Sequence, residues 1–275
     1  MTNSQIAFAA VLCLFPFTAK LSAQTASELI VDACHNELNQ RGHIALWSSR
    51  VERRTAGHVY LEKEIETVDG PVHKLLAVDG HEPSPSEQQQ DDDKLRDLMQ
   101  DPKARLVLKK KRDEDDKKFG DLLQAMPTAF LFDDQGKQGE NEKLAFRPNP
   151  EYIPTTYEEM TLHELSGVVL IDLREKRLSQ ISGTLDRQVD FGYGLIGHLN
   201  KGGTIELNRI LVSPGIWKTS SSRIDLNGRF VLFKTIDKKL DETHTDFTPM
   251  PSNTTIQQAI VQLSAKEKAS LLNIR

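Results

Sequence analysis

The sequence predicts an α+β protein built on a curved antiparallel β-sheet, an open half-barrel with helices packed on its concave face. Three observations carry this. Apolar residues alternate with polar ones through most of the second half of the chain, turn-forming pairs separate those runs, and no late connection has the dozen residues that a parallel crossover needs. The late strands are read as Gly167–Leu173, Leu178–Leu185, Val189–Leu199, Thr204–Val212, Ile216–Ile224 and Phe230–Ile236. Turns at Asn200-Lys201-Gly202-Gly203 and Leu226-Asn227-Gly228 join them.

The N-terminal run Ile6–Phe17 is apolar but too short to span a bilayer, and Ala19-Lys20-Leu21-Ser22-Ala23 supplies small residues for cleavage. Residues 1–23 are therefore expected to be a signal peptide. The remainder, 24–275, is expected to be a single exported, periplasmic domain without a transmembrane span. Cys34 is the only cysteine after that cut, so no internal disulfide is available. Its helical, apolar surroundings predict a buried, inert thiol.

A capping box at Thr25-Ala26-Ser27-Glu28 opens a helix that runs to about Gln40, with Leu29, Ile30, Ala33 and Leu38 on one side. From His43 the period becomes that of strands, and Asp69-Gly70 turns a hairpin whose second arm is Val72–Val78. Residues 83–126 break the pattern with Asp91-Asp92-Asp93, Lys109-Lys110-Lys111-Arg112 and Asp113-Glu114-Asp115-Asp116. Leu95, Leu98 and Met99, then Phe119, Leu122, Leu123 and Met126, recur at helix spacing. This segment reads as a charged helical insertion with one docked face, or as a lid over a ligand groove. Phe146-Arg147-Pro148-Asn149-Pro150 forces an extended connection, Thr156–Leu165 reads as a short helix, and a last helix follows Asn253.

The net charge of −5 and the interleaving of both signs argue against a nucleic-acid partner. Gly192-Tyr193-Gly194-Leu195-Ile196-Gly197 matches G-x-G-x-x-G, but turn residues and a strand follow where a phosphate-binding helix would be needed. His163-Glu164-Leu165-Ser166-Gly167 lacks the second histidine of a zinc-protease helix, and the other histidines are scattered. No nucleophile elbow or phosphate loop is present, so no catalytic residue, metal or cofactor is expected.

With an exported start, an initial helix, a run of antiparallel strands and a helical insertion, the chain resembles the half-barrel superfamily of lipoprotein-localisation factors (LolA/LolB-like). The resemblance covers most of the chain, including Phe146-Arg147-Pro148-Asn149-Pro150 and Val189-Asp190-Phe191-Gly192. It implies an unclosed barrel that binds lipoprotein acyl chains or senses envelope stress, and it transfers no individual residue role. The expected function is an envelope carrier for lipid or a lipoprotein acyl chain. The tentative groove comprises Val189, Phe191, Leu195, Leu199, Ile210, Trp217, Phe230 and Leu232. The same residues could instead be plain core, which leaves an envelope interaction protein with its own protein partner as the alternative. A hydrolase using His163 or His198 is the third reading.

Overall fold

A computed structural model describes residues 25–41, 45–55, 57–193, 196–230 and 234–272. Residues 1–23, expected to be a signal peptide, and Leu195 and Leu232 lie outside them.

The opening helix α1 (Ala26–Arg41) begins as expected: Glu28 N–H donates to Thr25 Oγ1 at 3.2 Å and Thr25 N–H to Glu28 Oε2 at 2.9 Å. Strands β1 (Trp47–Thr55), β2 (His58–Ile65) and β3 (Val72–Val78) follow, with Gly70 at φ +124 in the second turn. The insertion is two helices, α2 (Pro85–Gln100) and α3 (Pro102–Ala129). Then come β4 (Phe130–Gln138), β5 (Asn141–Pro148), the short α4 (Tyr157–Leu162), β6 (Leu165–Asp172) and β7 (Arg177–Leu185). The chain ends with β8 (Val189–Phe191), β9 (Gly197–Leu199), β10 (Thr204–Ser213), β11 (Ile216–Phe230), β12 (Lys234–Pro249) and α5 (Ile256–Leu272).

These strands form one curved, unclosed antiparallel sheet of 12 strands in the order β3-β2-β1-β12-β11-β10-β7-β6-β5-β4, with β8 and β9 hanging off β11. The late meander is present, but several expectations change: the strand expected over Phe230–Ile236 is divided between the end of β11 and the start of the longer β12. Val189–Leu199 is two short strands around a turn, not one strand. Leu226-Asn227-Gly228 lies within β11 rather than in a turn. A Cβ at Gly228 would sit on the carbonyl oxygen of His198, so that glycine serves the close approach of β9. The Phe130–Pro148 hairpin, of which only Phe146–Pro148 is expected, as an extended connection, supplies β4 and β5.

Paired residues in an antiparallel ladder share a face. One rung runs Arg53, Glu242, Ser222, Leu207, Ile181, Val169 and Leu144; the next runs Leu240, Ile224, Ile205, Gly183, Gly167 and Phe146. A single inner face is therefore apolar from β4 to β11 and mixed across β12, β1, β2 and β3, where charged and polar side chains such as Ser49, Glu64 and His73, which pair in another rung, join Val51 and Leu240.

The helices are divided between the two faces rather than gathered on one. Ile30, Ala33 and Cys34 of α1 and Leu123, Met126 and Ala129 of α3 pack on the apolar inner half. Ile65 and Val72 point the opposite way from Glu64 and His73, and meet Leu95 of α2 with Ile256, Ala259, Ile260 and Leu263 of α5. Helix α3 joins these layers by passing the β2–β3 turn, where Leu108 fills the space beside Gly70 and Arg112 donates to the Val68 carbonyl. No helix among the described residues is long and apolar enough to cross a membrane.

Two glycines test the backbone argument in opposite directions. A Cβ at Gly167 would overlap Ser182 main chain, so Gly167→Ala should lower unfolding free energy by about 3 kcal/mol. At Gly120 in α3 a Cβ would meet only Leu38 Cδ2 at 4.0 Å, so Gly120→Ala should raise it by about 0.5–1 kcal/mol. Urea unfolding of both variants measures this; a neutral Gly167→Ala would refute the close pairing of β6 and β7.

Candidate functional site

The inner face holds two chambers that differ in chemistry and meet at Phe119 of α3. The apolar one has a volume of about 300 Å³. Phe132, Phe146, Val169, Ile181, Ile205 and Ile224 line it from the sheet, and Phe119, Leu122, Leu123 and Met126 line it from α3. Gly183 contributes no side chain to this wall, and the Phe146 ring tip lies 3.2 Å from where its Cβ would be. Phe130 and Phe146 meet edge to face at 4.9 Å and stiffen one end.

The polar chamber, about 340 Å³, lies toward β1 and β2, between Glu37 and Gln40 of α1, Glu64 of β2, Glu66, Arg112 and Asp116 of α3, and Arg209 and Lys218 of the sheet. Its wall toward α1 is a buried ionic network. Glu37 accepts from Arg177 Nε at 2.9 Å, from Arg177 Nη2 at 2.6 Å and from the Leu178 N–H at 3.1 Å, and it pairs with Arg209 as well. Gln40 Nε2 donates to the Trp217 carbonyl at 3.2 Å, and Lys218 Nζ pairs with Glu66 at 2.6 Å.

Beyond Glu66 the strands carry a second cluster. His73 Nδ1 lies 3.5 Å from Glu62 and its Nε2 lies 3.5 Å from Glu64, while Arg53 reaches both Glu62 and Glu242. Burial raises the Glu64 carboxyl above the ordinary glutamate range; His73 opposes this, and Glu66 and Glu242 add to it. Burial works against the His73 imidazolium, but Glu62 and Glu64 outweigh it and the net shift is upward. His244 is pushed down by burial and by the charges of His73 and Lys218.

Of the eight residues expected to form a groove, Val189, Phe191, Leu199, Ile210 and Trp217 have described side chains. Val189, Phe191 and Leu199 are buried in β8 and β9 as part of the main core. Trp217 is buried in β11, its Nε1 donating to Glu175 at 2.8 Å, and Ile210 is 43% exposed on β10. Phe230 ends β11 opposite Gly197, its side chain outside the described residues, as are Leu195 and Leu232. None of the five described side chains lines the apolar chamber. The side chains that do line it from α3 carry a visible signal, the spacing of Phe119, Leu122, Leu123 and Met126.

Cys34 is buried, with Sγ 3.8 Å from Met126 Sδ, and burial reinforced by Glu37 pushes its thiol up to about 12. His163 Nε2 meets the Asn149 carbonyl at 2.7 Å, and neither His163 nor His198 lines either chamber. Strand β9, not a helix, begins at Gly197. Among the described residues no group of three or more His, Cys, Asp or Glu side chains is arranged to hold a metal ion.

The raised groups set a sign for pH dependence. Glu64 and His73 both keep protons in the folded state at pH values where the unfolded chain has released them, so each contributes stability that is lost as pH rises through its folded-state range. Glu62, which is lowered, and His244 act in the opposite sense. Replacing Glu64 by Gln should flatten the loss of stability as pH climbs from the ordinary carboxylate range toward neutrality. Urea titrations at a series of pH values measure it; a slope identical to wild type would contradict the assignment.

No protein-family model matches the chain, and no curated protein or solved structure is significantly similar to it, so the chemistry of these chambers is read from their own geometry.

Proposed function

We propose that this protein is a non-enzymatic carrier or binding protein of the cell envelope, exported to the periplasm, whose sheet shelters an apolar ligand such as a lipid or lipoprotein acyl chain. The observation that carries the reading is the apolar chamber of about 300 Å³ between the inner sheet face and α3. That volume lies at the lower end of the range of ligand pockets. Its walls offer dispersion contacts and the removal of apolar surface from water, worth about 25 cal/mol per Å².

The likeness to half-barrel lipoprotein-localisation factors belongs to this reading, with the unclosed sheet as barrel and its concave side as the sheltering face. Helix α3 is the wall a ligand would displace. Its middle bears exposed i,i+4 pairs such as Lys109–Asp113, Lys111–Asp115 and Lys117–Asp121, which hold helical form without packing. A docking role for the insertion is a second reading, carried by Leu106 and Val107, which are 66% and 69% exposed on α3.

Delipidated protein should gain about 5–10 °C in melting temperature with saturating fatty-acyl ligand, and the gain should depend on chain length. Ile181→Trp fills the chamber from the sheet side and should abolish the gain while leaving the unliganded protein folded. Absence of any shift across chain lengths, or a shift retained in Ile181→Trp, would overturn the carrier reading.

A further inference from the structure

Helix α3 is a common wall of both chambers. Arg112, Asp116 and Phe119 border the polar one, and Phe119, Leu122, Leu123 and Met126 the apolar one, so a single helix face changes character at Phe119. The rise from Asp116 to Met126 is about 15 Å, which a single extended amphiphile can follow.

The charges of the polar chamber decide which head group fits. Its cations are already engaged: Arg209 with Glu37, Lys218 with Glu66 at 2.6 Å, and Arg112 with Asp116 at 3.4 Å. Glu64 stands differently. Ser49 Oγ donates to it at 3.4 Å, but the nearest cationic group is the His73 imidazole at 3.5 Å, which Glu62 shares, and His244 Nδ1 is 4.0 Å away. Glu62 and Glu242 in turn share Arg53. Among the described residues, three inner-face carboxylates, Glu62, Glu64 and Glu242, thus face one guanidinium and two imidazoles, of which His244 is pushed toward its neutral form, while Lys218, the nearby ammonium, is paired with Glu66; negative charge is in excess beside an open volume.

We propose that one amphiphile occupies both chambers, with an ammonium head group against Glu64 and its alkyl chain passing Phe119 into the apolar chamber. The inference rests on the apolar-ligand reading and adds the head-group chemistry to it. An ammonium adds a full positive charge and further donors to the hydroxyl and imidazole that Glu64 already meets. A hydroxyl head group supplies a hydrogen bond alone. A carboxylate head group would meet Glu64 and Glu66 with the chamber's cations already committed.

Isothermal titration of the delipidated full-length domain with dodecylamine, dodecanol and dodecanoate at neutral pH separates these cases. The expected order is amine, then alcohol, then carboxylate, with the amine about tenfold tighter than the alcohol. Glu64→Gln should remove that advantage and leave dodecanol affinity unchanged. Equal binding of amine and alcohol, or tighter binding of the carboxylate, overturns the head-group assignment while leaving the apolar chamber as a chain site. Failure of all three to bind overturns the apolar-ligand reading and this inference with it. The wild-type ranking needs no variant, so a poorly folded Glu64→Gln would not blunt the test.

Discussion

Glu37 is the side chain on which the arrangement of the interior depends. It is 3% exposed, and it is held by two guanidiniums from different strands and by a main-chain N–H of β7. Such a buried ionic group adds little net stability compared with a well-packed apolar substitute, but leaving one member without its partner costs roughly 3–5 kcal/mol. Any rotation or one-turn slide of α1 would do that. The helix is therefore fixed in azimuth and height, with Ile30, Ala33 and Cys34 over the apolar strands and Glu37 and Gln40 at the border of the polar ones. Asn36, which donates to the Glu175 and Lys176 carbonyls, and Lys176, paired with Asp32 at 2.6 Å, hold the same helix to the β6–β7 turn.

Helix α3 has the complementary task of linking two cores. Its first half belongs with α2 and α5 on one face of the sheet, and its last turns belong with α1 on the other. The residues between must travel past the β2–β3 turn with little to pack against, and this explains the charge runs that look anomalous in the sequence. Repeated i,i+4 pairing supplies helical stability where burial cannot. The same passage makes α3 the border at which charged lining gives way to apolar lining.

Local signals in the sequence reached the elements and stopped short of the site. The capping box at Thr25, the Asp69-Gly70 turn and the helical spacing of Phe119, Leu122, Leu123 and Met126 each follow from neighbours within one turn, and each is realised. The Phe130–Pro148 hairpin was missed because Asp133, Asp134 and Lys137 interrupt its alternation, although Phe130 and Phe132, like Leu144 and Phe146, are spaced as same-face strand residues. The turn read at Asn227-Gly228 fails because Gly228 answers a constraint from His198, 30 positions away in sequence. The chambers are more remote still: Glu37, Arg177 and Arg209 become one network only through the strand order, and nothing local in the sequence announces that order.

That strand order also bears on why space remains inside the sheet. An apolar pocket of about 300 Å³ forgoes the dispersion contacts that close packing would give its lining. Water gives little relief between Val169, Ile181, Ile205 and Ile224, because it finds few polar partners there. Larger side chains would have closed the gap at several positions on these strands. A wall that keeps Gly183 under the Phe146 ring and sets four branched aliphatic residues around this space leaves apolar surface that the proposed apolar ligand would cover.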